Sequence, residues 1–423
     1  MDLANKLFKG DRVIWIIFMM LCIFSIIEVF SATSTIAYRS ANHWSPIIRH
    51  ATFLFGGFMI VLVMHNIPYK YFVTLNILMP IALLLLILTP LIGVTANDAH
   101  RWIEIGGIQF QPSEIAKLGC IIYIATILSR NDLFSPKQKF WWITIGVSIP
   151  CLFIFKDNIS TALLLFGVCF VLMFIGQVPI KSLICLLLGG ILAGVLAVAL
   201  LKVIPEEYIP EGRLTTAKAR IDRYFNSEHS DFDQNGNYVI NDDNYQVAHA
   251  NIAIARGGIV GRFPGHGEQR DFLPQAYSDF IYAIIMEELG YVGGLIVMFL
   301  YIVLMVRVGI IAKKCKSPFA KFLVLGSGLL IVIQALANMA VAVNLIPVTG
   351  QPLPLISRGG TSNLITCVYI GIILSVSRFG ANIGNEDDAV VVEEAAITDN
   401  NAAIAVESAG DASENTADKN KTD

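Results

Sequence analysis

Long apolar runs separated by short polar segments make up most of the chain between residues 13 and 380. A helix needs about 20 predominantly apolar residues to cross a bilayer, and most of the runs approach or exceed that length. We therefore predict an all-α polytopic membrane protein with about ten transmembrane helices. The predicted spans are 13–31, 50–67, 72–93, 113–129, 141–155, 160–176, 182–204, 278–306, 320–346 and 363–380.

Polar segments and their charges divide the chain into five parts. Residues 1–12 precede the first helix, 13–204 hold seven helices, 205–277 form one large loop, 278–380 hold three helices, and 385–423 form an acidic tail predicted to be disordered. Lys and Arg concentrate at alternate helix ends, which places both termini in the cytoplasm and the large loop outside. The cations on the cytoplasmic side are Lys6, Lys9, Arg12, Lys70, Arg130, Lys137, Lys139, Lys181, Arg307, Lys313, Lys314, Lys316 and Lys321.

Composition supports the same fold class. Hydrophobic residues make up 55% of the chain and charged residues 15%, and the mean hydropathy is +0.65. Soluble domains contain about 25% charged residues. Lys and Arg do not cluster with interleaved aromatic residues, so we expect no nucleic-acid partner. The seven cysteines have neither metal-ligand nor CxxC spacing and are typical of small core residues.

Asp279 lies where the large polar loop ends and the eighth apolar run begins. A carboxylate at the edge of a membrane span or within it is costly, so Asp279, Glu287 and Glu288 are each functional-site candidates. On a continuous helix the two glutamates would lie about 12 Å deeper than Asp279. Two structural interpretations stay open: Ser278 and Asp279 cap a helix N-terminus, and the glutamates pair with a neighbouring helix.

Polar residues also accumulate between the third and fourth runs. Arg101 and Trp102 open a segment whose alternating apolar residues suit an interfacial position on the bilayer. Glu114 and Lys117 follow, three residues apart at the start of a predicted helix. They can pair with each other, or Lys117 can bind a lipid-linked phosphate, and both interpretations stay open.

Further cations and small polar residues belong to the same predicted membrane face. Arg220 and Arg270 lie in the large loop, and Ser357 precedes paired glycines that let backbone amides approach an anion. Together with Asp279 they predict a carboxylate ringed by Arg and Lys at the outer membrane surface. A transporter of a soluble substrate would carry its ionisable residues near the bilayer midplane instead.

The large loop also contains a candidate calcium site. Residues 231–242 match much of an EF-hand loop, with Gly236 at the sixth position. An Asn-Gly turn in a solvated loop explains the same residues. Both interpretations stay open.

Six segments, in their order along the chain, closely resemble the SEDS family (shape, elongation, division and sporulation), the polytopic group that contains RodA and FtsW. The resemblance extends from about Val13 to Arg378. The long tail and the Gly-Gly-Thr-Ser sequence favour the division-type branch. The matching segments are 101–117, 244–246, 253–258, 273–282, 287–290 and 352–362.

The resemblance implies a peptidoglycan glycosyltransferase of the cytoplasmic membrane that polymerises lipid II during cell division. It implies a class B penicillin-binding transpeptidase as partner, along with other division proteins. The family's catalytic Asp corresponds to Asp279 in Ser278-Asp279-Phe280-Ile281-Tyr282. Asn158 and Arg358 differ from the family's usual Asp and Tyr at their positions.

For that reaction we expect Asp279 to be the general base, with no general acid, because pyrophosphate is already a good leaving group. No residue cluster specifies a cofactor, and a divalent cation could share the neutralisation of pyrophosphate. The alternative functions are a lipid II flippase and a non-catalytic scaffold for the transpeptidase. The predicted substrate-binding residues are Arg101, Trp102, Glu114, Lys117, Arg220, Arg270 and Ser357.

Overall fold

The computed structural model describes residues 8–32, 45–96, 99–106, 108–203, 239–241, 244–273 and 276–380. Within them the chain forms a bundle of long helices with one small sheet. The helices are α1 Arg12–Ala32, α2 Ser45–Met64, α3 Leu78–Ile92, α4 Pro112–Ser129, α5 Pro136–Asp157, α6 Ile159–Ile175, α7 Ile180–Val203, α8 Tyr245–Gly257, α9 Ile281–Lys314, α10 Pro318–Ala342 and α11 Thr361–Phe379. The strands are β1 Val94–Ala96, β2 Ala99–Ile105 and β3 Ile108–Phe110, and two 3-10 helices are Tyr69–Ile77 and Gln269–Asp271.

Each predicted span corresponds to a helix. Eight helices among the described residues are long and apolar enough to cross a membrane, and α6 and α7 supply two shorter apolar helices. The run 141–155, the shortest predicted, belongs to the 22-residue α5. A capping box extends this helix towards its start, because Ser135 accepts a hydrogen bond from the Gln138 backbone and Gln138 accepts one from Ser135. The predicted polytopic helical membrane fold is confirmed.

The segment predicted to lie on the bilayer surface is an antiparallel ribbon. Its three strands have the order β1-β2-β3, with Trp102 opposite Val94 and Ile103 opposite Phe110. Apolar alternation suits a strand as well as an interfacial segment, because successive side chains of a strand point to opposite faces. The ribbon contacts α11 through the hydroxyl of Thr361, which donates to the carbonyl of Gln109 at 3.0 Å.

Helices α4 and α10 form the centre of the bundle. In the apolar windows of these helices 78% and 83% of residues are buried, against 22% in α2. Gly326 of α10 lies so close to α4 that an added Cβ would be 2.7 Å from the Ile121 side chain. Large apolar side chains of the peripheral helices are exposed, among them Leu91 and Leu188, which is expected of surfaces that contact lipid.

Helix α9 is broken near its start. Gly290 has φ 68° and ψ −172°, which is not helical and is accessible almost only to glycine. The backbone groups freed by the break bond to the loop that follows α8: the amides of Arg262 and Phe263 donate to the carbonyls of Glu287 and Glu288, and the amide of Tyr291 donates to that of Gly258. The break therefore docks this loop against the bundle.

We predict that Gly290→Ala destabilises the fold by at least about 3 kcal/mol, because the backbone angles exclude a side chain. An added Cβ would also lie 2.3 Å from the carbonyl oxygen of Ile259. The thermal unfolding midpoint in detergent measures the effect. Gly309→Ala in the same helix is the matched control, because its Cβ would meet nothing within 4 Å. Equal midpoints for the two variants would contradict the prediction.

Several predicted features fall outside the described residues. These are the candidate calcium loop at 231–242 except for Val239, Ile240 and Asn241, the acidic tail 385–423 and most of the loop 205–277. The predicted division of the chain into five parts stays a prediction.

Candidate functional site

Asp279 lies in the turn that precedes α9. Its side chain is half-buried, and the Ser278 hydroxyl donates to Oδ1 at 2.9 Å. The backbone carbonyl of Asp279 accepts a hydrogen bond from Asn338 Nδ2, also at 2.9 Å. Phe280, and not Ser278 or Asp279, occupies the N-cap position of α9. The backbone is anchored to α10, while the carboxylate keeps partial access to its surroundings.

One face of α10 connects Asp279 to Lys117. Gln334 and Asn338 are four residues apart on this helix, about 6 Å along its axis. Lys117 Nζ donates to Gln334 Oε1 at 3.2 Å, one turn below the bond from Asn338 to Asp279. The cation and the catalytic candidate therefore attach to adjacent turns of a single rigid helix.

Lys117 and Glu114 form the ion pair that their spacing predicted. Lys117 Nζ lies 2.7 Å from Glu114 Oε1, and the Lys117 side chain has no exposed surface. A buried charge is strongly destabilising without a partner, so Glu114 stabilises the ammonium group in the core of the bundle. The ion pair leaves the phosphate-binding interpretation open, since an ammonium group has three donors.

The loop between α10 and α11 completes the polar cluster. The backbone carbonyl of Gln351 accepts a hydrogen bond from Asn338 Nδ2. The Gln351 side chain donates from Nε2 to the Thr161 hydroxyl of α6 at 2.6 Å. Ser357 is fully buried, and its hydroxyl donates to the carbonyl of Ser278 at 2.6 Å. Ser357 thus holds the backbone next to Asp279, and Gln351 orients the Asn338 amide that bonds to Asp279.

Arg358 brings a second cation to this region. Its amide donates to the carbonyl of Tyr277 at 2.9 Å, and its guanidinium lies over the Tyr277 ring, 5.2 Å from the centroid. Burial lowers the pKa of the Arg358 guanidinium, and the neighbouring Tyr277 acts in the opposite direction. Arg358 stands where the family usually has Tyr. It contacts Tyr277, which is two residues before Asp279 in the sequence.

Arg270 belongs to a separate cluster. Its guanidinium donates to the Ser31 hydroxyl at 2.7 Å and to the Gly265 carbonyl at 2.8 Å, and it lies 3.6 Å from Glu288 Oε1. Ser31 also donates to Glu288. These contacts hold the loop after α8 against the end of α1. Arg270 as a ligand of the substrate stays a prediction.

The two glutamates of α9 are also structural. Glu287 accepts backbone hydrogen bonds from Glu268 and Gln269 at 3.0 and 3.2 Å. Glu288 contacts Ser31 in the last turn of α1. Ser31 lies at the end of α1, and Asn338, which bonds to Asp279, lies one turn from the end of α10. Glu288 therefore lies at the same end of the bundle as Asp279, and the predicted position about 12 Å deeper is wrong. We call this end, which contains Ala32, Pro112 and Ala342, the site end.

Three predicted residues remain less defined. Trp102 is half-buried in β2, whose ribbon contacts the start of α11. Arg101 also belongs to β2. Arg220 lies outside the described residues. In the described part of the chain, no group of three or more His, Cys, Asp or Glu side chains is placed to hold a metal ion.

Sequence reasoning missed the amides of α10 and its following loop. Gln334 and Asn338 are polar residues inside an apolar span, four apart and therefore on one helix face. A polar residue within a span is a functional-site signal, so this pair could have been found. Gln351 carries no such signal, because it lies in a loop.

Comparison with known proteins identifies the family. The family model described as "Cell cycle protein", which covers FtsW, RodA and SpoVE, matches residues 11–382. A protein of Enterococcus hirae named probable peptidoglycan glycosyltransferase FtsW is 29% identical over 381 residues, covering 88% of this chain and 94% of the relative. A protein of Trichlorobacter lovleyi with the same name is 31% identical over 386 residues, covering 88% of this chain and 94% of the relative.

A solved structure supports the fold. It is described as "Structural coordination of polymerization and crosslinking by a peptidoglycan synthase complex", and this chain aligns with it with a TM-score of 0.69. The alignment covers 88% of this chain and 99% of that chain at 21% identity. The family model matches residues 11–382, and this range contains all the helices of the bundle from α1 to α11 among the described residues. The chain belongs to the SEDS family of FtsW, RodA and SpoVE proteins and resembles its FtsW members.

Proposed function

We propose that this chain is a peptidoglycan glycosyltransferase that polymerises lipid II, with Asp279 as general base. One observation carries the proposal: Asp279 and the buried Lys117 are anchored one turn apart on the same face of α10. The reaction needs a base for the acceptor hydroxyl and a cation for the departing pyrophosphate, and this cluster contains one candidate for each. The names of the FtsW relatives support the same activity.

In the reaction, the hydroxyl oxygen of the acceptor sugar forms a bond to the anomeric carbon of the donor lipid II. The bond from that carbon to pyrophosphate breaks, and undecaprenyl pyrophosphate leaves with the electron pair. The Asp279 carboxylate accepts the hydroxyl proton. Direct displacement predicts inversion at the anomeric carbon.

Lys117 is the proposed ligand of the departing pyrophosphate. Its buried position strengthens its attraction for an anion, because the surrounding dielectric is low. Glu114 and Gln334 hold the ammonium in place before substrate binds. Arg101, Trp102, Arg220, Arg270 and Ser357 remain proposed substrate-binding residues, and a divalent cation has no assigned step.

The proposed reaction takes place at the outer face of the cytoplasmic membrane, with both termini in the cytoplasm. Lys and Arg concentrate at the end of the bundle opposite Asp279, which supports this orientation. We propose a class B transpeptidase and other division proteins as partners. The synthase complex described for the similar structure supports a partner that crosslinks.

Purified protein with its transpeptidase should convert lipid II into glycan strands in detergent, with penicillin present to block crosslinking. Gel separation of the labelled product measures strand formation. The transpeptidase alone is the control and should yield no strands. Detergent removes the two compartments that a flippase requires, so strands formed only when this chain is present exclude a transport-only role.

Absence of strands in both reactions would contradict the proposal. A liposome assay of lipid II translocation would then test the flippase. A scaffold would be inactive in both assays.

A further inference from the structure

A cavity of about 690 Å³ lies at the end of the bundle opposite the site end. Its walls come from the start of α1, the end of α9 and the end of α11. Arg12 and Ser31 of α1 are about 28 Å apart along the helix, close to the hydrocarbon thickness of a bilayer of about 30 Å. The cavity therefore lies at the level of the lipid headgroups of the leaflet opposite Asp279.

The cavity is strongly basic. Its lining includes the cations Lys9, Arg12, Lys314 and Arg378. The first three are exposed, and within the described part of the chain none lies within 4 Å of a carboxylate. Arg378 donates to Asn66 Oδ1 at 2.6 Å, which leaves its charge uncompensated among the described side chains.

Asp11, the acidic residue of the lining, is already engaged. Its carboxylate lies 2.5 Å from Arg307 Nη2 and accepts the amides of Val13 and Ile14 at the start of α1. Its amide donates to Ser377 Oγ at 3.0 Å. These bonds hold the segment before α1 between α9 and α11, so the cavity is preformed. They also leave the surrounding cations available for an external anion.

Apolar side chains line the same cavity. Phe8, Ile310, Ile311 and Val376 contribute to its walls beside the cations. A soluble anion would use only the cations, whereas a phospholipid would place its phosphate on them and its glycerol and first methylenes against the apolar side chains. The volume of the cavity is within the range of about 300–1,000 Å³ typical of ligand sites.

We propose that this cavity binds the headgroup of an anionic phospholipid. Basic pockets between membrane helices are suited to such headgroups, because phosphate and cations attract strongly at the low-dielectric boundary. This site is independent of the proposed glycosyl transfer, since it lies at the other end of the bundle.

Native mass spectrometry of the full chain, titrated with phosphatidylglycerol or phosphatidylcholine, tests the proposal. Phosphatidylglycerol should bind with the higher affinity. The triple variant Lys9→Gln, Arg12→Gln, Lys314→Gln should weaken its binding about a hundredfold, because each cation near a lipid surface contributes roughly fivefold. The matched control is Lys70→Gln, Lys137→Gln, Lys181→Gln, which removes three exposed lysines outside the cavity and should bind as the wild type does.

Three outcomes would overturn the proposal. The first is equal phosphatidylglycerol affinity for the cavity variant and the wild type. The second is equally strong binding of soluble glycerol phosphate, which would identify a site for free phosphate esters. The third is lipid binding that arises only after Glu386→Gln, Asp387→Asn and Asp388→Asn, which would identify the acidic tail of the chain as the occupant. Matching thermal midpoints confirm that each variant is folded.

Discussion

Asp279→Asn is expected to lower the rate of lipid II polymerisation at least about a hundredfold, the lower range of what a general base contributes. The amide cannot accept the proton of the acceptor hydroxyl at neutral pH. The fold should persist, because the anchoring bond from Asn338 uses the backbone carbonyl of residue 279. The amide oxygen can also accept the bond from Ser278. Initial rates of strand formation, measured beside the thermal midpoint, report both properties.

The matched control for this experiment is Asp271→Asn. Asp271 lies in the loop that precedes Asp279, and its side chain is 52% exposed. Its Oδ1 atom lies 3.8 Å from Arg270 Nε. Removing its charge should leave the rate near that of the wild type. Near-normal polymerisation by folded Asp279→Asn would remove Asp279 from the mechanism while retaining the enzyme.

The Glu114–Lys117 pair separates structural from catalytic roles. Lys117→Met should lower stability by about 3–5 kcal/mol, because it leaves the buried Glu114 carboxylate unpaired. Adding Glu114→Gln removes that carboxylate and should restore most of the stability. If Lys117 binds pyrophosphate, the double variant stays at least about tenfold slower than the wild type, the loss expected for a hydrogen bond to a charged group. Thermal midpoints and initial rates measure the two effects separately.

Lys139→Met is the control for losing a buried lysine. Lys139 is 5% exposed and donates to the Leu128 carbonyl at 2.9 Å. It belongs to the start of α5, away from the site end. Loss of Lys139 should lower stability, but the protein that stays folded should polymerise lipid II at the wild-type rate. A Glu114→Gln, Lys117→Met variant that recovers both stability and rate would show that the ion pair is only structural.

The helices were predictable because their signal is local. A span requires a run of apolar residues of a length set by the bilayer, and this property is legible without knowing any neighbour. The prediction for α9 located the span correctly but missed the break at Gly290. A glycine within an apolar run is common, and only the docked loop from Gly258 to Phe263 shows why the helix is interrupted there.

Depth within the bundle was less predictable than position along the chain. Glu287 and Glu288 were expected deep in the membrane, on the assumption of a continuous helix. The loop after α8 instead binds both side chains at the site end. Arg270 was expected beside Asp279, and its guanidinium contacts Ser31, which is 239 residues away in sequence. Contacts between distant segments leave no periodic trace in a single sequence.

The sequence by itself determined that this is a polytopic membrane protein, which residues form its spans, and that Asp279 stands at a membrane boundary. Hydrophobic run length and the cost of a carboxylate near lipid suffice for these conclusions. Only the tertiary structure decided the partners of each polar group. It placed Gln334 and Asn338 between Lys117 and Asp279, and it closed a basic cavity from three helix ends at the opposite face. These arrangements depend on how helices pack across the bundle, because a buried polar group is stabilised by whichever partner the fold brings within bonding distance.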